Sequence, residues 1–120
     1  MGVDAGDLRT ALSSLYRSHR VAAPRQEHLE RLVETVDAHL PEIDRALEDS
    51  LQNWRLHRLA VVDRCVLRLG AAELLFVPDV PGRVAIQEAV RLAERYGSAE
   101  SASFVNGVLD ALYRRRASDS

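Results

Sequence analysis

The stretch from Leu59 to Val77 carries apolar residues on nearly every side of a helical wheel. A helix that is apolar all round must be surrounded by protein or lipid. Four charged residues interrupt the stretch, whereas a membrane span needs about 20 predominantly apolar residues in a row. The pattern therefore predicts a buried helix at the centre of a soluble all-α domain. Its charged residues, which lie at an exposed edge or are buried and paired, are Asp63, Arg64, Arg68 and Glu73.

Two of these charges, Arg68 and Glu73, are five positions apart in the central helix. They are separated by about 140° around the helix axis, so they cannot pair with each other as i,i+4 neighbours do. If both are buried, each requires a partner from another helix. This spacing predicts a polar lock between helices rather than an active site.

Amphipathic patterns flank the central helix on both sides. Before it, an apolar stripe of helical period runs from Leu29 to Leu40 and continues from Ile43 towards Trp54. Pro41 interrupts this stripe and is predicted either to kink one helix or to begin another, because proline lacks the N–H that a helix interior requires. Neither flank has enough apolar surface for a core of its own, which predicts a single domain over residues 1–120.

After the central helix, two prolines and a glycine in the segment 77–82 forbid a continuing helix. A helix is predicted from Val84 to Tyr96, with Gly97 as its stop and a serine cap for the helix that follows. That last helix contains Gly107, which costs about 1 kcal/mol relative to alanine. We therefore expect another backbone to pack closely against Gly107.

The first amphipathic helix, over residues 7–20, presents a tyrosine among arginines on its polar face. An aromatic ring can stack on a base while neighbouring arginines hold phosphates, so this face has the groups that an RNA contact requires. The spacing alone favours the alternative, a solvated face with the tyrosine at the boundary of the core. The residues in question are Arg9, Tyr16, Arg17 and Arg20.

Composition and charge narrow the class of protein. With 120 residues, 47% hydrophobic and 28% charged, the chain is typical of a globular domain. Its net charge of -2 provides no general attraction to nucleic acid. The C-terminal arginine run 114–116 is predicted to be a solvated helix end, with polyanion binding as the alternative. One cysteine and the lack of an N-terminal signal pattern predict a cytoplasmic protein without membrane association.

Motifs for catalysis are not found in the sequence. The four histidines never occur three or four residues apart, as two on one helix face would be, and there is no second cysteine, so no structural zinc site is expected. There is no glycine-rich phosphate loop and no Gly-x-Ser-x-Gly elbow. Glu88 and Glu94 belong to the polar side of an amphipathic helix and are predicted to be solvated. We expect no enzymatic activity, no cofactor and no metal.

Several ordered motifs resemble the NusB family of bacterial transcription antitermination factors. They include Trp54, the Leu59–Leu69 segment, Asp79-Val80-Pro81, the Val84–Val90 segment and Phe104–Asp110, which reads Phe-Val-Asn-Gly-Val-Leu-Asp. The resemblance covers about half the chain. It implies an all-α fold of about five to seven helices in two packed small bundles, without a cofactor.

The resemblance also implies a function and its contacts. Members of the family recognise boxA RNA, commonly together with a small-subunit ribosomal protein that doubles as a transcription factor. That complex modifies RNA polymerase so that it reads through terminators in ribosomal RNA operons. By correspondence with family positions, Tyr16, Asp63 and Phe104 are candidate RNA or partner contacts, with core packing as the alternative for Phe104.

One departure from the family pattern leaves other functions open. Two acids, Asp4 and Asp7, stand where family members carry an arginine-rich segment, and each lost phosphate contact weakens RNA binding. A protein interaction module that has lost RNA binding is therefore one alternative. Another is an RNA-targeting domain that works with a separate rRNA methyltransferase, and a homodimer is also open.

Overall fold

Five α-helices make up most of the computed structural model, which describes residues 23–52 and 55–119 and the side chains of residues 26–52 and 55–117. Arg9, Tyr16, Arg17, Arg20 and Trp54 lie outside these ranges. The helices are α1 (Ala23–Ala38), α2 (Leu40–Ser50), α3 (Val61–Phe76), α4 (Gly82–Tyr96) and α5 (Ser101–Asp119), and a 3-10 turn covers Leu56–Arg58. No strand occurs in the described ranges, which confirms the prediction of an all-α fold.

Helix α3 is the central buried helix that the sequence predicts. Every residue from Arg64 to Leu74 is buried, and α1, α2, α4 and α5 all pack against it. Burying each Leu or Val side chain contributes roughly 1.5–3 kcal/mol, so this helix organises the core. Among the helices that the structure describes, none has the length and apolarity that a bilayer crossing requires.

The predicted helix breaks occur at the proline, glycine and serine positions. Pro41 begins a new helix, since α1 ends at Ala38 and the proline lies in the first turn of α2. Gly97 ends α4, and its N–H donates to the Ala93 carbonyl. The N–H of Ser98 then donates to Ser101 Oγ at 2.9 Å, beside the first residue of α5. The contacts at Pro41 and Gly97 confirm the predicted boundaries there, and a serine cap on α5 stays a prediction.

The prediction of a close backbone at Gly107 was wrong. Gly107 is exposed, and a Cβ atom built there meets no described atom within 4 Å. The close approach occurs at Gly70 in α3, where a Cβ would lie 2.5 Å from Leu109 Cδ1 and 3.2 Å from Ala89 Cβ. Glycine at residue 70 therefore allows α4 and α5 to pack against the middle of α3.

These two glycines predict opposite effects of the same substitution. Gly70→Ala is expected to lower the free energy of unfolding by about 1–3 kcal/mol, because the added Cβ displaces the side chain of Leu109, which is fully buried in the core. Gly107→Ala is expected to raise it by about 0.5–1 kcal/mol, because alanine favours a helix and meets no described atom there. Urea denaturation of both variants checks this, and equal effects would contradict the packing at Gly70.

Candidate functional site

Contacts along α3, α4 and α5 fix their relative directions. Gly70 of α3 lies against Leu109 of α5, and farther along both helices the Arg116 guanidinium donates to the Leu74 carbonyl. Helix α5 therefore runs parallel to α3. Helix α4 runs antiparallel to α5, because Gly82 at its start lies against Tyr113. The first turns of α3 and α5 and the last turn of α4 thus lie at the same end of the bundle.

That end carries exposed arginines from distant parts of the sequence, and we call it the arginine end. Arg58 lies just before α3, and Arg95 lies in the last turn of α4. No acidic group in the described part of the chain forms an ion pair with either of them. Exposed Glu94 and Glu100 lie at the same end. The described surface therefore offers separate guanidinium groups for phosphate rather than a uniformly positive field.

Arg64 holds the loop that bears Arg55 and Arg58. Its side chain is buried, and Nη1 donates to the carbonyls of His57 at 3.2 Å and Leu59 at 3.1 Å. These bonds fasten the loop to the first turn of α3. The arginines of the loop are consequently presented from a fixed position.

Asp63 and Phe104, which the family resemblance implies as contacts, both lie at the arginine end. Asp63 is half-buried in the first turn of α3, and its buried Oδ1 has no hydrogen-bond partner among the described residues. Phe104 is half-buried and packs against the core. The structure thus brings these two residues to one end, and their role as contacts stays a prediction. The other candidates, Arg9, Tyr16, Arg17 and Arg20, lie outside the described residues.

The three C-terminal arginines have partners within the chain. Arg114 Nε lies 2.9 Å from Asp110 Oδ2, and Arg115 donates to the backbone carbonyl of Asp49. Arg116 donates to the Leu74 carbonyl, as described above. These contacts attach the end of α5 to the rest of the bundle. They favour this role for the three arginines over that of a polyanion site.

The polar lock predicted at Arg68 and Glu73 is confirmed, with partners from three helices. Arg68 donates from Nε and Nη2 to the two carboxylate oxygens of Asp44 in α2, at 2.9 and 2.8 Å. Glu73 Oε2 lies 2.6 Å from Nε2 of His28 in α1, and Glu88 of α4 is beside the same imidazole. Glu88 was predicted to be solvated only. Its contact with His28, beside the buried Glu73 carboxyl, corrects that prediction.

The Glu73 carboxyl is held in an environment that disfavours its charge. Burial and the neighbouring Glu88 carboxyl raise the pKa of Glu73 from 4.5 to about 7, while His28 acts in the opposite direction. Its raised pKa means that folding favours the protonated form. The stabilisation from this group is complete below pH 4.5 and is lost as the pH rises through about 7.

The titration of Glu73 should appear when the free energy of unfolding of the wild type is compared with that of Glu73→Gln at each pH. Both proteins are measured with EDTA present. The free energy of unfolding of the wild type should fall relative to that of the variant by roughly 2–3 kcal/mol between pH 4.5 and 8. Glu88→Gln should reduce this fall, because it removes the neighbouring charge. Urea denaturation at several pH values checks the result, and a rise in the difference would contradict it.

Comparisons with known proteins agree with the helical fold described above. The fold defines an all-α bundle around one buried helix, and the chain matches the sequence model of the NusB family over residues 6–114. It is 44% identical over 103 residues to the transcription antitermination protein NusB of Myxococcus xanthus, covering 86% of this chain and 74% of the relative. It is 49% identical over 98 residues to that of Acidothermus cellulolyticus, covering 82% and 68%. The chain belongs to the NusB family of transcription antitermination proteins.

Two solved structures are similar to the structure of this chain. The structure of T. maritima NusB is similar with a TM-score of 0.71 and 32% identity, over 95% of this chain and 93% of that one. A chain of the complex of antitermination factors NusB and NusE with dsRNA is similar with a TM-score of 0.70 and 32% identity, over 86% and 76%. These matches confirm the family resemblance found in the sequence.

Arg58 and Arg95 are exposed groups of this end that the sequence patterns did not single out. They are 37 positions apart, and only the packing of α3 against α4 brings them to one end. No periodicity within one helix could have linked them. The only signal in the sequence was that Arg58 lies close to Asp63 and Arg95 close to Gly97.

Proposed function

We propose that this protein is an antitermination factor that binds boxA-type RNA together with a small-subunit ribosomal protein of the NusE kind. The observation that carries the proposal is membership of the NusB family, one of whose relatives was solved with NusE and dsRNA. The complex would then act on RNA polymerase during transcription of ribosomal RNA operons.

The described geometry supports an RNA-binding role at the arginine end. Arg58 and Arg95 are exposed there, and guanidinium groups bind phosphate oxygens through paired N–H donors. Phe104 supplies an aromatic ring that can stack on a base. Asp63 supplies a carboxylate that can accept a hydrogen bond from the N4 amino group of cytosine. Arginines would position the RNA, and the other two groups would read it.

The protein interaction module remains the second candidate function, and a groove on α4 and α5 favours it. The groove has a volume of about 420 Å³ and its lining includes Arg83, Ile86, Asn106 and Tyr113. Tyr113 is among the exposed large hydrophobic residues, and Gly107 nearby is exposed as well. Such a surface, with an exposed aromatic ring beside an apolar side chain, fits a protein partner.

Fluorescence anisotropy with labelled RNA separates the two functions. The proposed function predicts that boxA-type RNA binds at least about tenfold more tightly than a scrambled RNA, and more tightly still with the ribosomal partner present. Tyr16→Ala should weaken RNA binding and leave partner binding unchanged. If the partner binds normally and neither RNA binds, the protein is the interaction module instead.

A further inference from the structure

Three side chains of the kinds that bind metal ions meet between α1, α3 and α4. His28 Nε2 lies 2.6 Å from Glu73 Oε2 and 3.7 Å from Glu88 Oε1. One donor atom from each of the three residues lies within 4.8 Å of the other two. Because each residue comes from a different helix, only the tertiary fold brings this set together.

The spacing of these donor atoms matches a small coordination sphere. Zinc binds histidine nitrogen and carboxylate oxygen at about 2.0–2.2 Å, so ligand atoms around a tetrahedral ion are roughly 3.3 Å apart. The two distances from His28 Nε2 lie on either side of that value. Small side-chain rotations would therefore place all three donors on one ion.

The chemistry of the set favours a transition metal over magnesium or calcium. Mg²⁺ and Ca²⁺ prefer ligand sets made of oxygen atoms, whereas imidazole suits zinc and its neighbours. Two carboxylates also match the double positive charge of the ion. An ion would offset the cost of placing Glu73, whose side chain is only 2% exposed, beside a second carboxylate.

An opening at the surface gives access to the donors. A cavity of about 100 Å³ is lined by His28, Leu29, Glu88, Arg91 and Leu92, so two of the three donors border it. A metal site requires an entry path as well as ligands. The cavity also has room for a water molecule as a fourth ligand.

We propose that His28, Glu73 and Glu88 bind one divalent transition-metal ion of the Zn²⁺ type, which ties α1 to α3 and α4. The sequence predicts no structural zinc site, because the histidines are not spaced to share a helix face and there is no second cysteine. The proposed site differs from that expectation, because its one histidine and two glutamates come from three different helices. The site is separate from the arginine end and does not depend on the proposed RNA binding.

Zinc titration of the metal-stripped, full-length chain tests the proposal. Isothermal calorimetry should show one ion bound per chain. The melting temperature should rise by about 5–10 °C at a Zn²⁺ concentration 100 times Kd, because the ion binds the folded state. The same titration with Mg²⁺ should show no such rise.

Variants at the donors and at a matched histidine decide whether this site holds the ion. His28→Gln and Glu88→Gln should each weaken zinc binding at least about 30-fold, and circular dichroism should show that both keep the fold. His39→Gln is the control, because His39 also lies beside a glutamate, Glu42 at 3.3 Å, but outside the cluster. Zinc binding that survives both donor substitutions, or that His39→Gln removes, would overturn the proposal. Equal binding of Mg²⁺ would overturn it as well.

Discussion

Replacing Asp44 with alanine is expected to lower the free energy of unfolding by about 3 kcal/mol. The substitution leaves the Arg68 guanidinium, whose side chain is only 4% exposed, without its two charge-assisted hydrogen bonds. Removing one member of a buried ion pair typically costs 3–5 kcal/mol, because the remaining charge stays buried without compensation. Partial exposure of Asp44, at 29%, places the expected loss at the low end of that range. Urea denaturation measures it.

Two further variants show whether the loss comes from an uncompensated charge. The double variant Asp44→Leu with Arg68→Met should recover most of the lost stability, since a well-packed apolar pair can replace a buried ion pair. Glu42→Ala is the surface control and should change the free energy of unfolding by less than about 0.5 kcal/mol, because Glu42 is 67% exposed. If Asp44→Ala behaves like Glu42→Ala, the lock does not stabilise the fold.

The second large effect concerns the arginine end. Replacing Arg58 and Arg95 together with alanine is expected to weaken binding of boxA-type RNA by roughly 10- to 100-fold at low salt, because two phosphate contacts are lost. Both side chains are exposed and neither forms an ion pair with a described residue, so folding should be preserved. Anisotropy titrations at one salt concentration measure the change.

A pair of arginines elsewhere controls for net charge. Arg31 and Arg83 are exposed, and Arg83 lies in the first turn of α4, at the opposite end from Arg95. Their replacement by alanine changes the net charge by the same amount as the first pair. It should weaken RNA binding by less than about threefold. Equal losses from both pairs would indicate general electrostatics rather than a defined contact surface.

The sequence predicts this fold well wherever a local pattern is sufficient. The apolar residues around α3 predict its burial, and Pro41 and Gly97 predict helix boundaries because each restricts its own backbone or ends a helix. The need of Arg68 and Glu73 for partners also follows from their positions in a buried helix. The identity of those partners does not, because it depends on which helices pack together.

The dependence on helix packing also explains why the prediction at Gly107 was wrong and why the arginine end was not found in the sequence. A glycine in a helix has the same sequence pattern whether it permits a close approach, as Gly70 does, or lies apart from every other described residue's atoms, as Gly107 does. The arginine end and the cluster at Glu73 each combine residues from elements far apart in the chain. Their nearness is a property of helix packing, which periodicity within one helix does not encode.

The salt dependence of RNA binding tests the central claim most directly. Plots of log K against log salt concentration should be linear for the wild type. The slope for the Arg58→Ala, Arg95→Ala double variant should be shallower by about 1.4, which is about 0.7 for each of the two lost contacts with single-stranded RNA. An identical slope for the two proteins, or no measurable binding of boxA-type RNA by the wild type with its ribosomal partner present, would contradict the account.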